Sequence, residues 1–202
     1  MKRLSNYEEF KQFFSQTEEV ILESIQNKTI DIKSTSENGS NFLHWACQFG
    51  KIEVVECLIK NEVDVNLKDG NGNSPSHYAS GFNNLTLLQS LIKLKANIKL
   101  TNKAGETSFH MACKSGNLAL VKYLFEELNA NVNLKDSKGN APLHSASRCN
   151  KFEIVKYLVE KKANLLSINR DDETALTIAL ESKNKEMAQY LFVKTPLSRK
   201  EM

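Results

Sequence analysis

Proline and glycine are scarce in this chain, 3 and 8 among 202 residues, which argues against a loop-rich or all-β fold. Apolar runs extend only a few positions, so no segment is expected to span a bilayer. The opening, MKRLSNYEEFKQFF, lacks the apolar stretch of a secretory signal, and the expected compartment is cytoplasmic, nuclear or both. A large excess of charge is missing too: a net charge of +3 is too small to imply nucleic acid from bulk composition. No CxxC pair exists among Cys47, Cys57, Cys113 and Cys149, which leaves zinc without closely spaced ligands, and disulfides are unexpected in a reducing compartment. What is present, 41% apolar and 25% charged residues, excludes a wholly disordered chain.

The four histidines, His44, His77, His110 and His144, are separated by 33, 33 and 34 residues. A period in that range is the mark of a repeat architecture. Read in register, the chain shows five copies of a turn, a short first helix and an apolar second helix. The second helices fill the same four slots with Val54, Val55, Leu58, Ile59; Leu87, Leu88, Leu91, Ile92; Leu120, Val121, Leu124, Phe125; Ile154, Val155, Leu158, Val159; and Met187, Ala188, Leu191, Phe192. That i, i+1, i+4, i+5 spacing makes one apolar face. All twenty positions are apolar, so chance does not explain the pattern.

The repeats run 36–68, 69–101, 102–135 and 136–168 within a single domain over 1–202. Residues 5–35 keep the register weakly, with Ile21, Leu22 and Ile25 in the first three slots and Gln26 in the fourth, and are expected to form an N-terminal cap. Residues 169–194, with Thr177 at the histidine position, are expected to form the C-terminal cap, followed by a tail at 195–202.

The pattern carried by Asp69, Gly72, Pro75 and His77, by Gly105, Thr107 and His110, and by Asp136, Gly139, Pro142, Leu143 and His144 resembles the ankyrin repeat. The resemblance covers nearly the whole chain. It implies an all-α solenoid of antiparallel helix pairs with β-hairpin-like loops, four full repeats and two caps, as a slightly curved, elongated monomer roughly 50–60 Å long. Departures stand out. Where the family ends its second helices on glycine, this chain has Glu62, Lys95 and Lys162, with an extra residue near Asn129. Ala141 replaces the threonine whose hydroxyl bonds near the histidine. A stack less stable than one of consensus sequence is expected.

Repeat-related histidines lie a layer apart and cannot converge on a metal, so each is expected to bond the loop before its own helix; no metal or cofactor is expected. Cys47, Cys57 and Cys113 read as core, and Cys149 as more exposed. GxSxG, GxxxxGK[ST] and HExxH are all absent, and DGNGN at 69–73 reads as a turn, so an enzyme is not expected.

The resemblance implies that another protein is gripped by the loop tips and the exposed side of each first helix, the concave face. Carried over by position, that surface comprises Glu37, Asn38, Ser40, Gln48, Phe49 and Lys68. It continues through Asn71, Asn73, Phe82, Lys103, Glu106, Lys114 and Ser115. Lys135, Lys138, Asn140 and Arg148 follow, and Arg170, Asp171, Glu173 and Glu181 end it. Phe49 and Phe82 share one slot in adjacent repeats and are expected side by side as an exposed pair, the alternative being that they fold back over neighbouring helices. Through the four full repeats this surface carries six basic residues against two acidic, and in the last repeat one against three. A partner with an acidic stripe and a basic end would complement it. Segments 42–59, 139–159 and 169–174 are similar to the family's chaperones of the proteasome regulatory particle, which implies a proteasome regulatory ATPase as partner. The alternatives are a general adaptor, effector or inhibitor, and binding of nucleic acid through the basic stripe, which lacks the clustered cations and stacking aromatics for it.

Overall fold

The structure is a computed structural model and describes residues 1–196; of the tail expected at 195–202, positions 197–202 lie outside the described residues. The chain divides into two compact units, Met1–Lys103 and Ala104–Met202. Among the described residues, twelve α-helices, one π turn and two isolated β-bridges make up the regular structure.

The first unit holds α1 (Tyr7–Phe14), α2 (Glu18–Gln26), α3 (Phe42–Gln48), α4 (Ile52–Lys60), α5 (Pro75–Gly81) and α6 (Leu85–Lys93). The helices pair as α3 with α4 and α5 with α6, and successive pairs pack layer on layer. Val54, Val55 and Leu58 are fully buried, and so are Leu87, Leu88 and Leu91. Each such side chain stabilises the fold by roughly 1.5–3 kcal/mol. The fourth slot behaves differently: Ile59 and Ile92 are half-buried, because i+5 lies about 140° round the helix from i and falls on the rim. In the cap, Phe10 and Phe14 pack around Phe42 and Trp45, with Phe10 stacked on the indole at 5.3 Å. Residues before position 5 also take part. Lys2 forms an isolated parallel bridge with Ile30, and the N–H of the buried Leu4 donates to Ser34 Oγ at 3.2 Å.

The second unit holds α7 (Ser108–Ser115), α8 (Leu118–Lys122), α9 (Pro142–Arg148), α10 (Phe152–Glu160), α11 (Ala175–Glu181) and α12 (Lys185–Lys194). A π turn over Tyr123–Glu127 continues α8 and absorbs the extra residue of this repeat. At the matching helix ends, Ala96 and Ala163 bond back to Leu91 and Leu158, five residues earlier, whereas Ala130 bonds back six, to Leu124. The turn is braced from α10: the Tyr157 hydroxyl donates to Glu126 Oε1 at 2.9 Å, and Lys161 pairs with the same oxygen at 3.1 Å.

The tips are tighter than hairpins. They are closed by main-chain bonds, such as Asp69 N–H to the Asn73 carbonyl and Asp136 N–H to the Asn140 carbonyl, both at 2.9 Å, with Gly72 N–H and Gly139 N–H returning to the Asp69 and Asp136 carbonyls. Asp69 Oδ1 also accepts from the Asn71 and Asn73 N–H groups, and Asp136 Oδ1 from those of Lys138 and Asn140. Tip then bonds to tip through the main chain: Gly70 to Asn38 and Lys103 to Asn71 in the first unit, Ser137 to Ala104 and Arg170 to Lys138 in the second. Gly72 makes this possible, with φ +79° and a position where a Cβ would lie 2.9 Å from the Lys103 nitrogen.

Candidate functional site

The face made by tips and first helices is held in place by the histidines. In each full repeat the ring Nδ1 accepts the N–H of the residue capping its helix: Asn41, Ser74, Thr107 and Ala141, at 3.1–3.2 Å. That acceptor role puts the proton on Nε2. His44 then donates to the Leu67 carbonyl, His110 to that of Leu134 and His144 to that of Ser167, each at 2.9 Å. A histidine thus ties its helix to the loop that leads into the next tip, a longer reach than the sequence pattern implied. Burial holds His44, His110 and His144 below the ordinary imidazole range, so they stand neutral. Hydroxyls of Ser74 and Thr107 add a second bond to His77 and His110, which Ala141 cannot supply to His144. Among the described residues no group of three or more His, Cys, Asp or Glu side chains could hold a metal ion.

In the second unit the tip and first-helix face opens into a groove of about 320 Å³ lined by Ala104, Glu106, Lys114, Asp136, Lys138, Asn140, Ser145, Arg148, Cys149 and Asp171. Six of these, Glu106, Lys114, Lys138, Asn140, Arg148 and Asp171, belong to the surface drawn from sequence. Two ion pairs fix its walls, Lys114 with Glu106 and Arg148 with Glu173. Side-chain bonds from Asn169 first, and then Arg148, hold the Glu173 carboxyl below the usual range. Lys138 and Asp171 stand exposed on the lips, and the thiol-bearing Cys149 is exposed beside Arg148. Such an arrangement presents alternating charge on a rigid backbone, suited to reading a polar segment of another chain.

Other positions are placed differently. Glu37, Asn38, Asn71 and Lys103 are exposed on the tips of the first unit, with Asn73 and Gln48 half-buried. Ser40 is only 3% exposed, since its hydroxyl meets the Tyr78 hydroxyl at 3.1 Å, and Glu106 is 8% exposed, drawn in by Lys114; neither is the surface residue expected. The ammonium groups of Lys68 and Lys135 are tied to the Thr101 and Ile168 carbonyls at 2.8 Å, bracing the loops while both residues remain exposed. Ser115 donates to the Ala112 carbonyl of its own helix. Arg170 and Glu181 are exposed, Arg170 at the last tip and Glu181 at the end of α11.

The aromatic pair is not a pair. Phe49 turns inward, its ring 6.1 Å from Trp45 and 6.2 Å from Phe14, while Phe82 remains 54% exposed and stacks on Tyr78. The cap repeat supplies Phe49 with a second aromatic surface, and that decides its direction. Tyr78, absent from the sequence-drawn surface, organises this part: its hydroxyl donates to Asp69 Oδ2 at 2.8 Å and its ring lies 5.3 Å from His44. Burial pushes its phenol upward, so it remains a donor. The available signal was its place beside His77 and four residues before Phe82. Ser145, on the groove floor, carries no such signal.

Stacked helix pairs, capping histidines and bonded tips define a helical repeat protein. The family model described as ankyrin repeats (3 copies) matches residues 13–102, 76–169 and 109–197, and the chain belongs to the ankyrin-repeat family. No curated protein matches it. Among the described residues no helix is long and apolar enough to cross a membrane.

Proposed function

We propose that this ankyrin-repeat chain is a non-catalytic scaffold that binds another protein through the groove of its second unit. The observation that supports this reading is the groove itself, where Lys114, Lys138, Arg148 and Asp171 converge from three successive tips and first helices. A partner segment with acidic groups against Lys114, Lys138 and Arg148, and a basic end toward Asp171 and Glu173, matches its charge. The chain is taken as a captured bait from its source lysate, alongside the double variant Lys138→Glu/Arg148→Ala and a control altered at Glu53 and Glu56 on α4. A partner retained by the control and lost by the groove variant supports the reading. Equal capture by all three refutes it.

A narrower reading makes the chain a gankyrin-like chaperone for the C-terminal domain of a proteasome regulatory ATPase. It is favoured by the likeness of FLHWACQFGKIEVVECLI at 42–59, GNAPLHSASRCNKFEIVKYLV at 139–159 and NRDDET at 169–174. Regulatory-particle ATPases in the captured fraction would distinguish it from a general adaptor, and nuclease-sensitive recovery would point to nucleic acid instead.

A further inference from the structure

One slot of the first helix carries a small side chain wherever a following layer packs on it. Cys47 on α3, Cys113 on α7 and Ser147 on α9 are buried there, beneath α5, α9 and α11 respectively. On α11 the same slot holds Leu180, which is 60% exposed. Interiors are packed closely enough that one added methylene is felt, so an isobutyl group holds a further helix off the normal spacing. The last layer is therefore shaped to receive something other than another repeat. Beside Leu180 lies a shallow hollow of about 360 Å³, floored by Leu176 and Ala188 and walled by Phe192, itself 56% exposed.

We propose that this end face is a self-association surface, whose occupant is the same face of a second copy of the chain. A two-fold interface needs a surface complementary to itself. This one offers an exposed ring, Phe192, beside a hollow that can take the same ring of a second copy. Its rim carries Glu181 and Lys185, both exposed and, among the described residues, neither in an ion pair, so each copy's carboxylate meets the other's ammonium across the axis. The patch is small, at the low end of interface sizes, so the dimer is weak and concentration-dependent.

Sedimentation velocity on the full chain, from dilute to concentrated, is the test. The chain is expected to shift from monomer to dimer as concentration rises. Leu180→Ser, which restores the residue of the Ser147 slot, is expected to stay monomeric with an unchanged helical spectrum, and Phe192→Glu gives an independent disruption. Glu181→Lys or Lys185→Glu alone should weaken association roughly tenfold, and the two together should restore it. A monomer at every concentration overturns the proposal. So does association that survives Leu180→Ser and Phe192→Glu, or a double charge swap as weak as the single ones.

Discussion

His144 and Ser167 are joined across a repeat boundary: the ring Nε2 donates to the Ser167 carbonyl at 2.9 Å, while Nδ1 accepts the Ala141 N–H at 3.1 Å. At the corresponding position one repeat on, Thr177 instead donates its hydroxyl to the Thr174 carbonyl, bonding only within its own cap.

The bridge makes stability depend on acidity. Burial keeps His44, His110 and His144 below the ordinary value of 6.5 in the folded chain. The unfolded chain therefore binds more protons as pH falls through that value. Stability is complete above it and declines below it, by up to about 1.4 kcal/mol per pH unit for each histidine while the folded ring stays neutral. Urea midpoints measured from pH 7.5 down to pH 5 should fall, and a flat profile would show that the rings are not neutral donors.

Lys95 and Lys162 occupy left-handed helix ends with φ of +71° and +64°. Glycine avoids the Cβ strain there but adds unfolded-state entropy, so Lys95→Gly and Lys162→Gly should each stabilise by up to about 1 kcal/mol. Gly105→Ala should do the reverse, because φ is +76° and its Cβ would sit 2.6 Å from the Ser137 nitrogen. Denaturation midpoints moving in one direction for all three variants would contradict this account.

Among the described residues the buried hydroxyls of Ser80 and Ser147 have no hydrogen-bond partner. A buried unmatched polar group costs about 1–3 kcal/mol. Ser147→Cys, which places there the residue found at Cys47 and Cys113, should raise the thermal midpoint. A lowered midpoint would reveal a bond that the packing hides.

Phe49 and Phe82 should separate in their effects. Phe49→Ala removes packing against Trp45 and Phe14 and should cost about 2 kcal/mol or more. Phe82→Ala, at an exposed ring, should change stability by no more than about 0.5 kcal/mol. Trp45 is the chain's one tryptophan, so its fluorescence reports the unfolding directly.

Cys149 should react first with a thiol reagent. It is exposed on the groove, whereas Cys47 and Cys113 are fully buried and burial pushes their thiols up. Mass spectrometry of a brief labelling should find the adduct on Cys149, with Cys47 and Cys113 modified only on unfolding. A bound partner in the groove should slow the Cys149 reaction. Unchanged labelling in its presence would move the binding surface elsewhere.

The period of the histidines and the apolar slots made the helix pairs legible, because both follow from geometry that repeats every layer. Side-chain direction on the tips did not. Lys68 and Lys138 are both exposed lysines beside a tip aspartate, yet the Lys68 ammonium reaches a carbonyl of the next loop whereas Lys138 lines the groove. Phe49 faces inward because residues 10–14, far away in sequence, put rings beside it. The extra residue near Asn129 was visible as a longer interval, but its accommodation in a π turn rests on Tyr157 and Lys161 from the neighbouring helix.

Because neighbouring tips within each unit are joined by main-chain groups, the side chains at 71, 103, 138 and 170 take no part in the bonds that align them. Substitution there can alter what the surface recognises while its spacing is inherited unchanged. Recognition and architecture are written in different atoms of the same residues, so a lineage carrying this chain can change partners without having to refold.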